Sequence, residues 1–299
     1  MSAAPENYSN GLFIPLGRSK IRNLKIRARQ RFNFGRTQTP YLSGDSIASL
    51  ADFVFVSEKK LSNLAQSRAR QARSLFVRSH ELELLDFDHF PNLRVLIAGN
   101  SDRNFDVLPP VPEELHLLIL QNSSIQSEKV RTLPIGLENR KLGRFYGPRD
   151  FEFRPNRLIL DDRVLVPPMS NTNPIRPSTI QQALRMQSLF DVKIGYLSEK
   201  DYLELVKGYQ FLLCLEGNGY ENHRIWESLY LGIFPIMFET RWSITLRELG
   251  LPILFINDLE EVNRDLLIDF HRRNQGYNPK QSGPLWIKYW RNLIQSFYG

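Results

Sequence analysis

Short apolar runs that end in polar turn residues recur along the chain. Residues 93–98 run into Gly99-Asn100-Ser101-Asp102, residues 115–120 into Gln121-Asn122-Ser123-Ser124, and residues 130–135 into Gly136-Leu137-Glu138-Asn139. Continuous rather than alternating apolar runs mark strands buried on both faces, as in a parallel sheet. Ligands of such sheets bind beyond the carboxyl ends of the strands, so these polar loops are candidate site walls. Upstream, residues 46–55 form a short apolar segment. Residues 59–76 carry Leu61, Leu64, Ala65, Ala69 and Ala72 near helical spacing, which predicts a helix.

The second half repeats this grammar. A strand is expected at residues 163–166, a polar loop at 170–174, a helix over 178–190 with Ser178 as its N-cap, and a helix over 202–209 that stops near Gly208. Residues 209–238 then read as strand, glycine turn, helix, glycine stop and strand. In this βαβ unit Asn222 can cap the helix, Ile225, Trp226, Leu229 and Tyr230 form its apolar face, and Gly232 supplies the left-handed residue that ends it. Residues 140–162 are rich in Arg, Gly, Pro and Phe without a period, which suits a crossing between domains. The expected layout is a basic arm over 1–40, a first domain over 41–155 and a second over 156–299. A closing C-terminal helix carries Trp286, Trp290 and Phe297 on its apolar face.

Composition narrows the class. A 299-residue chain that is 42% hydrophobic and 24% charged can build two cores. The single cysteine, Cys214, lies in an apolar run, so it forms no intramolecular disulfide and reads as core. No apolar stretch is long enough to span a bilayer and no signal-peptide pattern opens the chain, so a cytoplasmic location is expected. The net charge of +7 is local: Arg18, Lys20, Arg22, Lys25, Arg27, Arg29, Arg31 and Arg36 face only Glu6 in the first 44 residues, and the rest of the chain is balanced. The arm is either a solvated spacer or a contact for an anionic membrane surface, a nucleic acid or an anionic acceptor.

The chemistry concentrates at the start of the 222–231 helix. Free N–H groups and the helix dipole favour an anion such as a diphosphate there. His223 and Arg224 in the first turn are unfavourable for the helix itself, which points to a bound anion that compensates them, and Arg224 can grip phosphate oxygens in a fork. Glu227, three and four residues on, either reaches a ribose hydroxyl pair or forms helix-surface pairs with those two residues. Gly217-Asn218-Gly219 matches neither the dinucleotide nor the P-loop pattern, so neither a dehydrogenase nor a kinase-like site is supported.

Residues 211–236, with Glu216, Arg224 and Glu227 at fixed spacing, resemble the donor-site signature of exostosin-like glycosyltransferases, and fucosyltransferases share its outline. Gly99-Asn-Ser-Asp102, residues 134–139 and Asn171-Thr-Asn-Pro-Ile-Arg176 are similar, in order, to bacterial and viral members of that group. Those relatives carry a histidine before the Asn-Ser-Asp triplet, where this chain has Gly99. The resemblance implies an α/β, GT-B-like fold of two Rossmann-like domains facing across a cleft. It also implies transfer of a sugar from a nucleotide-sugar donor to a glycan or lipid-linked acceptor. Glu216 would end the donor strand, Arg224 would meet the diphosphate and Glu227 would hold the ribose, with Asn173, Arg176, Gly217, Asn218, Asn222 and His223 around them.

No Asp-x-Asp pair sits in a suitable strand-end loop, so transfer without a metal or other cofactor is expected, with Arg224 and Arg176 neutralising the leaving group. Asp102 is the candidate base for the acceptor hydroxyl, or else a turn residue that caps its own loop. Asn100, Asn122 and Asn139 share its location and are candidates for acceptor contacts. Two other readings stay open: a nucleotide-sugar- or glycan-binding protein without transferase activity, and a nucleic-acid-binding protein acting through the arm, which would leave residues 216–227 unexplained.

Overall fold

The computed structural model describes residues 40–56, 63–139, 151–154, 159 and 161–298. The basic arm, through residue 39, and most of the 140–162 crossing lie outside them. The described residues form two five-stranded parallel sheets. The first contains β1 (Phe53–Val54), β2 (Ser74–Arg78), β3 (Val95–Gly99), β4 (Leu117–Gln121) and β5 (Val130–Leu133), side by side in chain order. The second contains β6 (Asp161–Val166), β7 (Phe190–Val192), β8 (Tyr209–Leu213), β9 (Phe234–Phe238) and β10 (Leu254–Ile256), in the order β10-β9-β8-β6-β7. The α/β class and the parallel pairing thus follow the reading of the apolar runs.

Both faces of the first sheet are buried, by alternate residues. Leu75, Val77, Leu96, Ala98, Leu118 and Leu120 pack on one side with Phe90, Leu93 and Phe105. Phe76, Val95, Ile97, Leu117 and Ile119 pack on the other side against Ile287, Trp290 and Ile294 of α8 (Ile287–Ser296). The closing helix therefore returns to the first sheet, and its end is clasped there: Tyr298 bonds Ser74 Oγ at 2.5 Å, and the Arg73 guanidinium lies 4.2 Å from the Tyr298 ring centroid. Trp290 is buried as expected, whereas Trp286 is only half-buried. Also on this face is α1 (Gly44–Ala48), capped by Ser43. The crossovers after β2, β3 and β4 contain no α-helix, only the 3-10 turns Ser79–Leu84 and Phe87–His89 and loops. The first sheet is thus simpler than a doubly wound one.

Several elements differ from the sequence reading. The helix expected over 59–76 ends early, its described part being α2 (Asn63–Gln71), and its tail is strand β2, whose unbroken apolar stretch Leu75-Phe76-Val77 sits too close to the helix to separate by pattern alone. Helix α3 (Ile175–Arg185) begins before Ser178, with Pro174 at its cap; Ser178 lies inside it and its hydroxyl bonds the Ile175 carbonyl. Helix α4 (Glu199–Val206) starts earlier than 202 because Ser198 caps it by accepting from Asp201 N. The βαβ unit was legible: α5 (His223–Leu231) is capped by Asn222 Oδ1, which accepts from Arg224 N, and ends at Gly232 with φ 71°. Helices α6 (Arg241–Arg247) and α7 (Arg264–Asn274) complete the second layer.

A Cβ at Gly232 would lie 2.5 Å from the Phe153 ring as well as in the left-handed region. Gly232→Ala should therefore lower the unfolding free energy by about 1–2 kcal/mol, measured by urea denaturation. Unchanged stability would show that α5 ends some other way.

Candidate functional site

The order of the second sheet places a reversal between β6 and β8. From β6 the chain moves outward to β7, then returns to the other side of β6 to build β8, β9 and β10. The carboxyl ends of two strands at such a reversal diverge into a crevice, where ligands of open parallel sheets bind. The loops after β6 and β8 flank that point, and the helices that follow, α3 and α5, each bring an arginine in their first turn.

Arg176 is buried and grips three backbone carbonyls. Its Nε donates to Glu216 O at 2.8 Å, Nη1 to Ser170 O at 2.7 Å and Nη2 to Leu215 O at 3.3 Å. It thereby ties the loop after β6 to the end of β8. Arg224 donates from Nη2 to Pro168 O at 2.5 Å, and its guanidinium carbon lies 5.3 Å from the Tyr202 ring centroid. Neither arginine forms a salt bridge with a described residue. Burial, and after it the charge of Arg224, lowers the pKa of Arg176, so the two cations feel each other.

Glu216 is half-buried at the tip of β8, and desolvation raises its pKa against a hydrogen bond from Asn173. Asn173 also donates to Gly217 O at 3.2 Å. Glu227 is buried at 5% exposure, not on the helix surface, and its charge reaches Cys214, whose thiol is pushed up mainly by burial. Asn222, besides capping α5, donates to Leu215 O at 2.6 Å. Six of the expected donor residues, Asn173, Arg176, Glu216, Gly217, Asn222 and Arg224, are thus joined by direct hydrogen bonds or lie in sequence with those that are.

Residues 218–223 turn the other way and lie across the carboxyl ends of the first sheet. Asn218 Nδ2 donates to Asp102 Oδ2 at 3.1 Å, Tyr220 N to Asn104 Oδ1 at 3.2 Å and Tyr220 OH to Asp106 Oδ1 at 2.5 Å. Gly219 passes so close that a Cβ would lie 2.6 Å from Asn122 Nδ2 and 3.0 Å from Asp102 O. His223 Nδ1 is 2.8 Å from Gly136 O and must carry the proton, since a carbonyl only accepts. Next to this loop, Thr245 of α6 donates to Ser123 O at 2.7 Å.

At the centre is Glu221, a residue that the motif reading passed over. Its N–H donates to Asn122 Oδ1 at 3.1 Å, and its Oε2 accepts from Ile135 N at 2.8 Å and from Trp226 Nε1 at 2.7 Å. Its Oε1 is buried with no hydrogen-bond partner. Desolvation lifts the carboxyl to about 8, opposed by those N–H donors and helped by the nearby charge of Asp102. The signal in the sequence was slight, an acid directly before a helix cap.

The three asparagines expected on the acceptor side spend their amides inside the protein. Asn122 binds Glu221 and Ser101 O; Asn139 donates to Asn100 Oδ1 at 2.7 Å and accepts from Asp45 N at 2.7 Å. Asn100 and Asn122 end adjacent strands with φ of 56° and 54°, a left-handed conformation that asparagine tolerates better than most residues. Asp102 is exposed and faces Asn218 across the junction. Gly99 packs under Leu133 and Gln121, with positions 3.2 Å and 3.3 Å from a would-be Cβ, so no larger side chain fits there unshifted. Among the described residues, no group of three His, Cys, Asp or Glu side chains is placed to hold a metal ion, and no helix is long and apolar enough to cross a membrane.

Set against known proteins, the chain matches no family model and no curated protein.

The carboxyl of Glu221 gives the fold a pH dependence. Its folded pKa lies above that of a free glutamate, so the folded state holds a proton that the unfolded chain releases. The stability this contributes is present in full below about pH 4.5 and is lost as the pH climbs to about 8. Glu221→Gln should flatten that part of the stability profile, measured by thermal unfolding between pH 5 and 8.5. An identical slope in both proteins would show that Glu221 does not carry it.

Proposed function

We propose that this chain is a glycosyltransferase of GT-B type that binds a nucleoside-diphosphate sugar at the β6–β8 reversal. The observation that carries the reading is the pair of arginines, Arg176 and Arg224, in the first turns of the two helices that follow the strands flanking the reversal, with no carboxylate among the described residues in a salt bridge to either. A bound diphosphate would relieve their repulsion and complete the α5 N-terminus. Arg176, already committed to three carbonyls, would act through its charge. Arg224, with donors to spare after Pro168, would take phosphate oxygens and offset the charge that develops on the leaving diphosphate. Glu216, just past β8, and Glu227, one turn beyond Arg224 on α5, are the acids proposed for hydroxyl contacts to the nucleoside.

The acceptor would approach from the first sheet. Asp102, exposed and within hydrogen-bond reach of the donor loop through Asn218, is the proposed base. Asn100, Asn122 and Asn139 would hold the shape of that wall instead of touching the acceptor. A second reading, a nucleotide-sugar-binding protein without transfer, draws support from Gly99 itself, which stands where the relatives carry a histidine and over which Leu133 and Gln121 pack closely.

Thermal unfolding against UDP-, GDP-, CMP- and ADP-sugars tests the reading. One donor class should raise the midpoint by several degrees at about 100-fold over its Kd. Arg224→Ala should weaken that donor about 10- to 100-fold through the loss of a charge-assisted contact, and Glu227→Ala should also reduce it. A folded protein that responds to no donor would overturn the proposed site. A donor response with no transfer to any acceptor, unchanged in Asp102→Asn, would favour the binding protein.

A further inference from the structure

At the far end of α5 from the arginines, aromatic side chains drawn from four parts of the chain enclose a cavity of about 340 Å³. Tyr230 lies seven residues beyond His223, about 10 Å along the helix axis, so this cavity is separate from the β6–β8 reversal. The aromatic part of its wall is formed by Tyr41, Phe151, Phe153, Tyr230 and Trp286. Tyr41 and Trp286 face each other through an antiparallel bridge, and their ring centroids are 5.2 Å apart; Tyr230 is 5.1 Å from Tyr41 and 5.5 Å from Trp286.

The polar heads of two of these rings are already satisfied within the protein. Tyr230 OH accepts from Leu42 N at 3.0 Å and donates to the Leu285 carbonyl, and Trp286 Nε1 donates to Pro279 O at 2.6 Å. What those rings offer a ligand is therefore apolar face and edge. The polar groups at the mouth are Glu152 and Lys280, both exposed, of opposite sign, and in no salt bridge with a described residue. Glu152 is near enough to Tyr41 for its charge to help hold that phenol protonated, after burial itself.

A cationic ligand would meet Lys280 and an anionic one would meet Glu152. A neutral ring with a C–H face for the aromatic wall and hydroxyls around its edge suits both, because a hydroxyl donates to a carboxylate and accepts from an ammonium group. We infer that this aromatic cavity is a second binding site, specific for neutral saccharide, that anchors a glycan away from the donor site. The choice of a saccharide over other neutral polyols rests on the glycosyltransferase reading; the ring geometry and the charges at the mouth do not.

Saturation-transfer NMR with maltose, cellobiose, lactose and N,N′-diacetylchitobiose, and with choline as a cationic control, tests this site. At least one saccharide should receive saturation on its ring C–H protons and choline should not displace it. Trp286→Ala and Tyr41→Ala should abolish the transfer. Since these rings also support the fold, the exposed pair Glu152→Ala and Lys280→Ala, changed together, provides the safer variant and should weaken binding at least about fivefold through two lost charge-assisted contacts. Arg224→Ala should leave saccharide binding intact. No transfer to any saccharide, undiminished transfer in the Glu152/Lys280 variant, or preferential binding of choline would each overturn the assignment. Saccharide binding in a protein that ignores every nucleotide sugar would sustain this site and remove the donor site instead.

Discussion

The placement of Glu221 between the two sheets is the constraint on which the site depends. A carboxyl group removed from water costs several kcal/mol unless it is paired or neutralised. Here two N–H donors, Ile135 N from the loop after β5 and Trp226 Nε1 from α5, meet one oxygen, and a raised pKa offsets part of the remainder. The same residue's N–H closes on Asn122. Residues 218–223 therefore have one way to lie, and Gly219 is the residue that lets them lie that closely. Because α5 begins at the end of this loop, the direction of its N-terminus is fixed from the first sheet as well as from its own.

That coupling explains why the site is built from backbone as much as from side chains. Arg176 holds Ser170, Leu215 and Glu216 by their carbonyls, Asn222 holds Leu215, and Asn173 holds Gly217. The loops on either side of the reversal are thus stitched to each other before any ligand arrives, so a ligand there would meet a largely preorganised surface. On the other flank, Asn100, Asn122 and Asn139 use the same device to set the strand ends of the first sheet.

How much of this was legible in the sequence depended on whether the signal was local. The βαβ unit was, since Asn222, the Ile225-Trp226-Leu229-Tyr230 face and Gly232 each act within one turn of their own position. Strand β2 was not, because Leu75-Phe76-Val77 follows a helix after three residues and carries no turn signal of its own. Ser178 resembles a cap, yet α3 starts earlier because residues 174–176 are positioned by Arg176's grip on β8, a contact 40 residues away in sequence. Glu221 escaped notice, and Gly219 was legible only as part of a turn, for the same reason: their partners, Asn122, Ile135 and Asp102, lie about 85 to 120 positions upstream.

The arginines divide the same way. Three carbonyls account for Arg176 as a staple, and a cation with that many acceptors needs no ligand to justify its burial. Arg224 is different: it sits against the positive end of the α5 dipole, which costs a few tenths to about 1 kcal/mol, and near a like charge. Among the described residues, one carbonyl and the face of Tyr202 are what its guanidinium gains in return. A neutral residue there would relieve the repulsion without disturbing the Asn222 cap, which uses only backbone N–H. The fold thus gives a reason for the arginine that staples and little reason for the one that strains the helix, and the proposed diphosphate at the helix start would supply it.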